Sequence, residues 1–146
     1  MRLSDHDIKK AILSQDILIT PNVPLEDVQG VAIDLQLGQQ FRVFSGHRIP
    51  FIDLAAPTSE LSASLDQLMS APIEVPYGER LIIHPGELIL GVTLQSISLS
   101  RSYIAWLDGR SSLARLGLMV HATSHRIDPG WNGQIVLEFF NCGRVP

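Results

Sequence analysis

Two hydrophobic periods alternate along this chain. Near the start Ile8, Ala11 and Ile12 fall on one helical face. Ser4, with Asp7 three residues on, has the form of an N-cap with an acidic partner, so a short amphipathic helix is predicted. From Val31 the period becomes two: Val31, Ile33, Leu35 and Leu37 alternate with Ala32, Asp34 and Gln36. This predicts a half-buried strand that Gly38 breaks. Phe41-Arg42-Val43-Phe44 continues as strand, and Ser45 to Pro57, carrying Gly46, Pro50 and Pro57, reads as a loop. Leu61, Leu65, Leu68 and Met69 then return to helical spacing after Thr58-Ser59, which predicts a helix inside this insertion.

Short β-branched runs follow at close intervals: Ile73-Glu74-Val75, Leu81-Ile82-Ile83, Leu88 to Leu94, Tyr103 to Leu107, Leu118 to His121 and Gln134 to Asn141. Pro76, Gly78, Pro85-Gly86, Gly109, Gly117 and Pro129-Gly130 punctuate them. Many short strands separated by turn signals predict a β-sandwich or barrel and argue against a parallel α/β sheet. The chain shows no internal repeat, low-complexity tract or linker, so a single domain spanning 1–146 is expected.

Composition narrows the class. At 146 residues one hydrophobic core suffices, and 45% apolar against 18% charged residues is a globular balance. Net charge of −4 argues against a nucleic-acid partner, which would need a broad basic surface; a mononucleotide needs only a local cluster of cations. Cys142 is the only cysteine, so neither an intramolecular disulfide nor a site with two thiolates can form. A charged start, the absence of a signal-like apolar stretch and the lack of a run long enough for a membrane helix point to a soluble cytoplasmic protein.

Three segments could carry chemistry. In the first, Asp108 to Gly117, a strand ends at Asp108-Gly109, and Ser111 or Ser112 can cap a helical turn that closes at Gly117. Two hydroxyls beside Arg110 and Arg115 suit a phosphate, although the same residues also describe an ordinary capped turn with solvated arginines. The second segment, His121 to Gly133, contains the turn sequence Asp128-Pro129-Gly130, where the aspartate carboxylate can bond the backbone two residues on. His121 and His125 read by default as structural histidines. The H-x-E and P-C-x-x-C pattern of zinc deaminases would need more cysteines than the chain has.

The third feature is Glu138, within Ile135-Val136-Leu137-Glu138-Phe139-Phe140. Alternation puts Ile135, Leu137 and Phe139 on one face and Val136, Glu138 and Phe140 on the other. A carboxylate between Val and Phe is unusual for a solvated strand position. Enclosure favours the neutral acid and a neighbouring arginine favours the carboxylate, so together they can ready such a group for proton transfer. An edge-strand glutamate facing water, or one held in a structural ion pair, satisfies the pattern equally well.

Taken together, Trp106-Leu107-Asp108-Gly109-Arg110-Ser111-Ser112-Leu113-Ala114-Arg115-Leu116-Gly117, then His125-Arg126-Ile127-Asp128-Pro129-Gly130-Trp131, then Ile135-Val136-Leu137-Glu138-Phe139 resemble, in the right order, the signature stretches of bacterial dCTP deaminases. The likeness extends to Met1-Arg2-Leu3-Ser4-Asp5, Ile33-Asp34-Leu35-Gln36-Leu37-Gly38, Phe51-Ile52-Asp53-Leu54 and His84-Pro85-Gly86-Glu87, and so covers essentially the whole chain.

The resemblance implies a mainly β fold: a dUTPase-like distorted β-barrel or jelly roll with a short N-terminal helix and a helix in an insertion. It implies a homotrimer with active sites between subunits. The reaction would be hydrolysis of dCTP to dUTP and ammonia, supplying dUTP for dUMP and dTTP synthesis, with no catalytic metal; magnesium would arrive bound to the triphosphate, and dTTP is a candidate inhibitor on which the sequence itself is silent. Carried over residue by residue, Glu138 is the general base and acid, with Ser111 and Arg115 beside it and the attacking water. Arg110, Ser111, Ser112 and Arg115 match the nucleotide-binding segment, and Asp128 and Val136 line sugar and base, Val136 largely through its backbone.

Two departures qualify the match. Ser124 stands where a small apolar residue is expected, and family members continue past the position of Pro146 through a further strand and a tail over the triphosphate, so the domain is expected to be C-terminally truncated relative to the family. Two other activities are compatible with the same pocket: a bifunctional enzyme releasing dUMP and pyrophosphate, or a module that binds nucleotide without turnover.

Overall fold

A computed structural model describes residues 2–45 and 51–146; Met1 and part of the expected loop, Gly46 and Pro50 included, lie outside it, as does the side chain of Leu65. The expected first helix is α1, Asp5–Leu13, with Ser4 as N-cap accepting from the Asp7 N–H and with Ile8 and Ala11 buried. Strand β1 (Ile17–Thr20) follows, then β2 (Leu37–Val43), α2 (Thr58–Leu68) and β3 (Ile73–Glu74). Next come β4 (Leu88–Leu99), β5 (Ala105–Trp106), α3 (Ser111–Ala114), β6 (Leu118–Met119), β7 (Arg126–Ile127) and β8 (Asn132–Asn141). One 3-10 turn, Leu25–Asp27, lies between β1 and β2.

The described strands build a six-stranded sheet with the order β3-β2-β4-β8-β6, to which β1 adds by pairing with β4, and a separate β5-β7 ribbon. Every pairing is antiparallel. The fold is therefore mainly β with short helices, as the turn spacing predicts. Twelve residues long, β4 is the spine of the sheet. One edge of it is shared between β2 at its first half and β1 at its second, while the other edge carries β8 along nearly its full length.

Strict alternation along β4 and β8 sends Ile89, Ile97 and Leu99 together with Ile135, Leu137 and Phe139 to one face. There they join Ile17, Ile19, Phe41 and Ala11 in a single core. No helix among the described residues is long and apolar enough to cross a membrane.

Several expectations are corrected. The ladder begins at Leu37, not Val31, and Gly38 continues it. Within residues 31–36 Ile33 and Leu35 are partly buried against the core while Val31, expected on the same face, is exposed, and the segment makes no regular ladder. Gly38 is needed for a different reason: a Cβ there would stand 3.0 Å from the Val92 carbonyl oxygen, where β2 and β4 shift register. Leu81-Ile82-Ile83 forms no strand, and Ile82 is exposed. Only the middle of Tyr103–Leu107 and the start of Leu118–His121 are paired, while β4 runs on to Leu99. Strand β1, Ile17-Leu18-Ile19-Thr20 between Asp16 and Pro21, is a turn-bounded β-branched run absent from the expected strands, and the two-residue β7 carries no such run.

Candidate active site

Glu138 sits near the end of β8 on the face opposite the core, half-buried, as alternation requires. The segment 118–122 runs alongside it. Leu118 pairs with Asn141 and Met119 with Phe140, and the Glu138 N–H then donates to the Val120 carbonyl at 3.0 Å. Beyond the last paired residue the chain turns so that the Ala122 N–H donates to Glu138 Oε2 at 2.9 Å. Hydrogen bonds from backbone N–H to a carboxylate are charge-assisted and fix the rotamer. Oε1 has no hydrogen bond among the described residues, so one oxygen is anchored and the other is available.

Two residues before it, Val136 is on the same face and 53% exposed. Since the N–H of Glu138 points towards β6, the period of two points the N–H and C=O of Val136 the same way. At that height β6 has ended, because its pairing reaches only Phe140 and Asn141. The edge of β8 at Val136 therefore offers a backbone donor and a backbone acceptor with no strand across from them among the described residues, beside the Glu138 carboxylate.

The first signature segment is built more loosely. Arg110, not Ser111 or Ser112, is the N-cap of the four-residue helix α3, with no side-chain cap bond; this corrects the expected serine cap. Ser111 and Ser112 are its first two residues and are exposed, and Arg115 follows it as C-cap, also exposed. Closure at Gly117 is as expected, through Leu116 N–H to Leu113 C=O and Gly117 N–H to Ala114 C=O, both at 3.0 Å. Gly117 has φ of +90°, and a Cβ there would lie 2.5 Å from Gly143 N, so both its backbone shape and the approach of the neighbouring strand end require glycine.

Helix α3 packs on β6, which pairs with the Glu138 end of β8. Among the described residues neither Ser111 nor Arg115 bonds to Glu138. Arg110 instead pairs with Asp34 at 3.5 Å, both side chains largely exposed. The pairing of Asp34 is not readable in sequence, because the two residues are far apart in the chain.

At the second segment, Trp131 N–H donates to the Asp128 C=O at 3.1 Å, which closes the predicted turn. The Asp128 carboxylate does not bond the backbone two residues on; it pairs with Arg126 Nε at 2.8 Å. The guanidinium is the stronger partner for a carboxylate. His121 and His125 stack with ring centroids 5.5 Å apart, and His125 lies against Trp106 at 5.0 Å. Among the described residues no group of three or more His, Cys, Asp or Glu converges as a metal-binding set.

A family model described as dCTP deaminase-like matches residues 2–146. The chain belongs to this dCTP deaminase-like family. Among similar proteins of the family, the dCTP deaminase of Pectobacterium atrosepticum is 56% identical over all 146 residues, which span 76% of its length. That of Hamiltonella defensa is 55% identical over the same span and share. In fold the chain is similar to the crystal structure of 2′-deoxycytidine 5′-triphosphate deaminase from Agrobacterium tumefaciens. That match has a TM-score of 0.65 over 95% of this chain and 41% of the other, and at 19% identity it bears on the fold alone.

Two cavities of the fold lie away from Glu138. One, of about 400 Å³, is lined by apolar residues including Phe41, Val75 and Leu118. The other, of about 460 Å³, is polar and includes Asp34, Gln36 and Gln95. Sequence reasoning finds Glu138 through its break in an apolar strand. It misses the Ala122 amide, because backbone donors carry no residue signature.

Proposed function

We propose that this chain is the catalytic-core part of a dCTP deaminase, converting dCTP and water to dUTP and ammonia with Glu138 moving the protons. The observation that carries the reading is the juxtaposition of a singly anchored carboxylate with an open strand edge at Val136. Cytosine presents an N4 amino donor where uracil presents an O4 acceptor, so a fixed backbone carbonyl favours the substrate over the product. A backbone N–H beside it suits the ring's acceptors.

With the base on that edge, the free Oε1 of Glu138 takes a proton from water as its oxygen attacks C4. The carboxylic acid so formed delivers that proton to N3, giving a tetrahedral carbon bearing both OH and NH2. Glu138 then takes the hydroxyl proton and passes it to the amino group, which leaves as ammonia while the C4 carbonyl of dUTP forms. Shuttling of this kind contributes about 10²–10⁴-fold, and orientation together with the charges around the pocket supplies the rest.

Arg110, Ser111, Ser112 and Arg115 hold phosphate and water in this reading, and Asp128 lines the sugar; magnesium would arrive with the triphosphate and offset its charge. Among the described residues neither Ser111 nor Arg115 makes a hydrogen bond or ion pair to Glu138. That suits an active site completed between subunits, in a homotrimer of dUTPase-like distorted barrels.

Incubating the full-length protein with dCTP, quantifying ammonia and separating dUTP from dUMP tests the proposal. Stoichiometric dUTP and ammonia are expected. Release of dUMP with pyrophosphate would replace it with the bifunctional activity, and binding without ammonia would reduce the protein to a nucleotide-binding module.

A further inference from the structure

The ladder between β4 and β8 is interrupted next to the edge assigned to the base. Val92 pairs with Val136 and Ser96 with Gln134, so four steps along β4 oppose two along β8, and Thr93, Leu94 and Gln95 arch over Ile135. A surplus of two residues preserves the alternation of faces. Thr93 and Gln95 accordingly both turn into the core, 2% and 4% exposed, although polar.

Buried backbone groups at such an interruption need substitutes for their ladder partners. The Ile135 N–H, which faces β4, donates to Thr93 Oγ1 at 3.0 Å, and the same hydroxyl donates to the Gln95 carbonyl at 2.7 Å. Gln134 Nε2 donates to the Thr93 carbonyl at 2.7 Å. Behind them the Gln95 Oε1 accepts from the Gln36 N–H at 2.9 Å, and the Leu94 N–H donates to the Gln36 carbonyl at 2.8 Å. The arch is thus tied both to β8 and to the segment leading into β2.

We propose that Thr93, assisted by Gln134, is a positioning residue for base recognition: its hydroxyl sets the height of β8 at Ile135 and so aligns the neighbouring Val136 edge with the Glu138 carboxylate. The inference rests on the deaminase reading above. Ile135 and Val136 are consecutive and Glu138 is the next residue on the Val136 face, so a shift at Ile135 displaces both together. Irregularities of this kind recur next to active sites because they re-aim side chains.

Thr93→Val in the full-length protein keeps the side-chain shape and removes both hydroxyl bonds. At a temperature where the variant is folded by circular dichroism, kcat for dCTP should fall about 10–100-fold, the scale of a small misplacement at a reacting centre. The preference for binding dCTP over dUTP should shrink and Ile135 amide exchange should accelerate, while Thr93→Ser recovers kcat to within about threefold. A folded Thr93→Val protein with wild-type kcat, KM and base preference would overturn the proposal.

Should Thr93→Val not fold, Gln134→Leu decides: KM should rise about 3–10-fold, the range of one lost hydrogen bond, and an unchanged KM overturns the proposal. If the wild-type protein itself does not deaminate dCTP, the functional reading fails instead, and unchanged Ile135 exchange in a folded Thr93→Val protein would by itself overturn the positioning role of the Thr93 hydroxyl.

Discussion

The end of β8 and the α3 turn differ in how firmly the chain holds them. Around β8 each functional feature is fixed by backbone bonds: Glu138 by Val120 and Ala122, Ile135 by Thr93, and Thr93 by Gln134. Around α3 a four-residue helix presents Ser111, Ser112 and Arg115 exposed, and among the described residues the Arg110 guanidinium is tied only to the exposed Asp34. A proton-transfer group must be placed within a fraction of an ångström, and a preorganised group costs nothing to reorganise during reaction. A phosphate clamp has to admit and release its ligand. The contrast predicts that the β8 half is rigid before nucleotide binds and that the α3 half becomes ordered with it.

The largest expected effect tests the rigid half. Glu138→Gln keeps the Ala122 bond and the shape of the site but cannot accept a proton; ammonia release should fall about 10²–10⁴-fold while dCTP binding, read by calorimetry, is largely retained. An active Glu138→Gln protein removes the assignment.

For the adaptable half, Arg110→Ala should raise KM for dCTP by about tenfold or more, the scale of a lost charge-assisted bond, and change kcat less. An unchanged KM would mean that Arg110 does not reach phosphate.

Gly117→Ala examines the joint between the two halves. Its φ and the closeness of Gly143 should cost about 1–3 kcal/mol. In a chain of this size that is a fall in Tm of several degrees, roughly 2–4 °C per kcal/mol, readable by thermal denaturation.

The smallest effect belongs to Asp34. The carboxylate competes with phosphate for Arg110, and an exposed pair is worth about 0–1 kcal/mol, so Asp34→Asn should lower KM by no more than about fivefold. A rise in KM would instead make Asp34 a part of the clamp.

Legibility in the sequence followed the same division. Alternation through Ile135–Phe140 is enough to place Glu138 on the face away from the core, and Ser4 with Asp7 is enough to start α1, since both depend on local spacing. Gly117 as a helix stop was equally readable. What could not be read depends on distant partners. Gly38 looks like a strand breaker until the Val92 carbonyl is seen above it, and Leu81-Ile82-Ile83 has strand composition but among the described residues pairs with no strand, the Asn141 side chain donating to the Ile83 carbonyl instead. Asp128 has a side chain that could serve its own turn, yet the nearby Arg126 claims it. Thr93 and Gln95 simply continue an alternating strand, and their polar side chains gain meaning only from the arch over Ile135.

Because the arch in β4 holds an even surplus, its length is quantised. Losing one residue between Val92 and Ser96 would turn one half of the strand inside out, sending either Ile89 or Ile97 and Leu99 towards water. Loss of two would leave both faces as they are and straighten the strand, erasing the step beside Val136. Only an even change in the arch keeps both faces of β4 where they are.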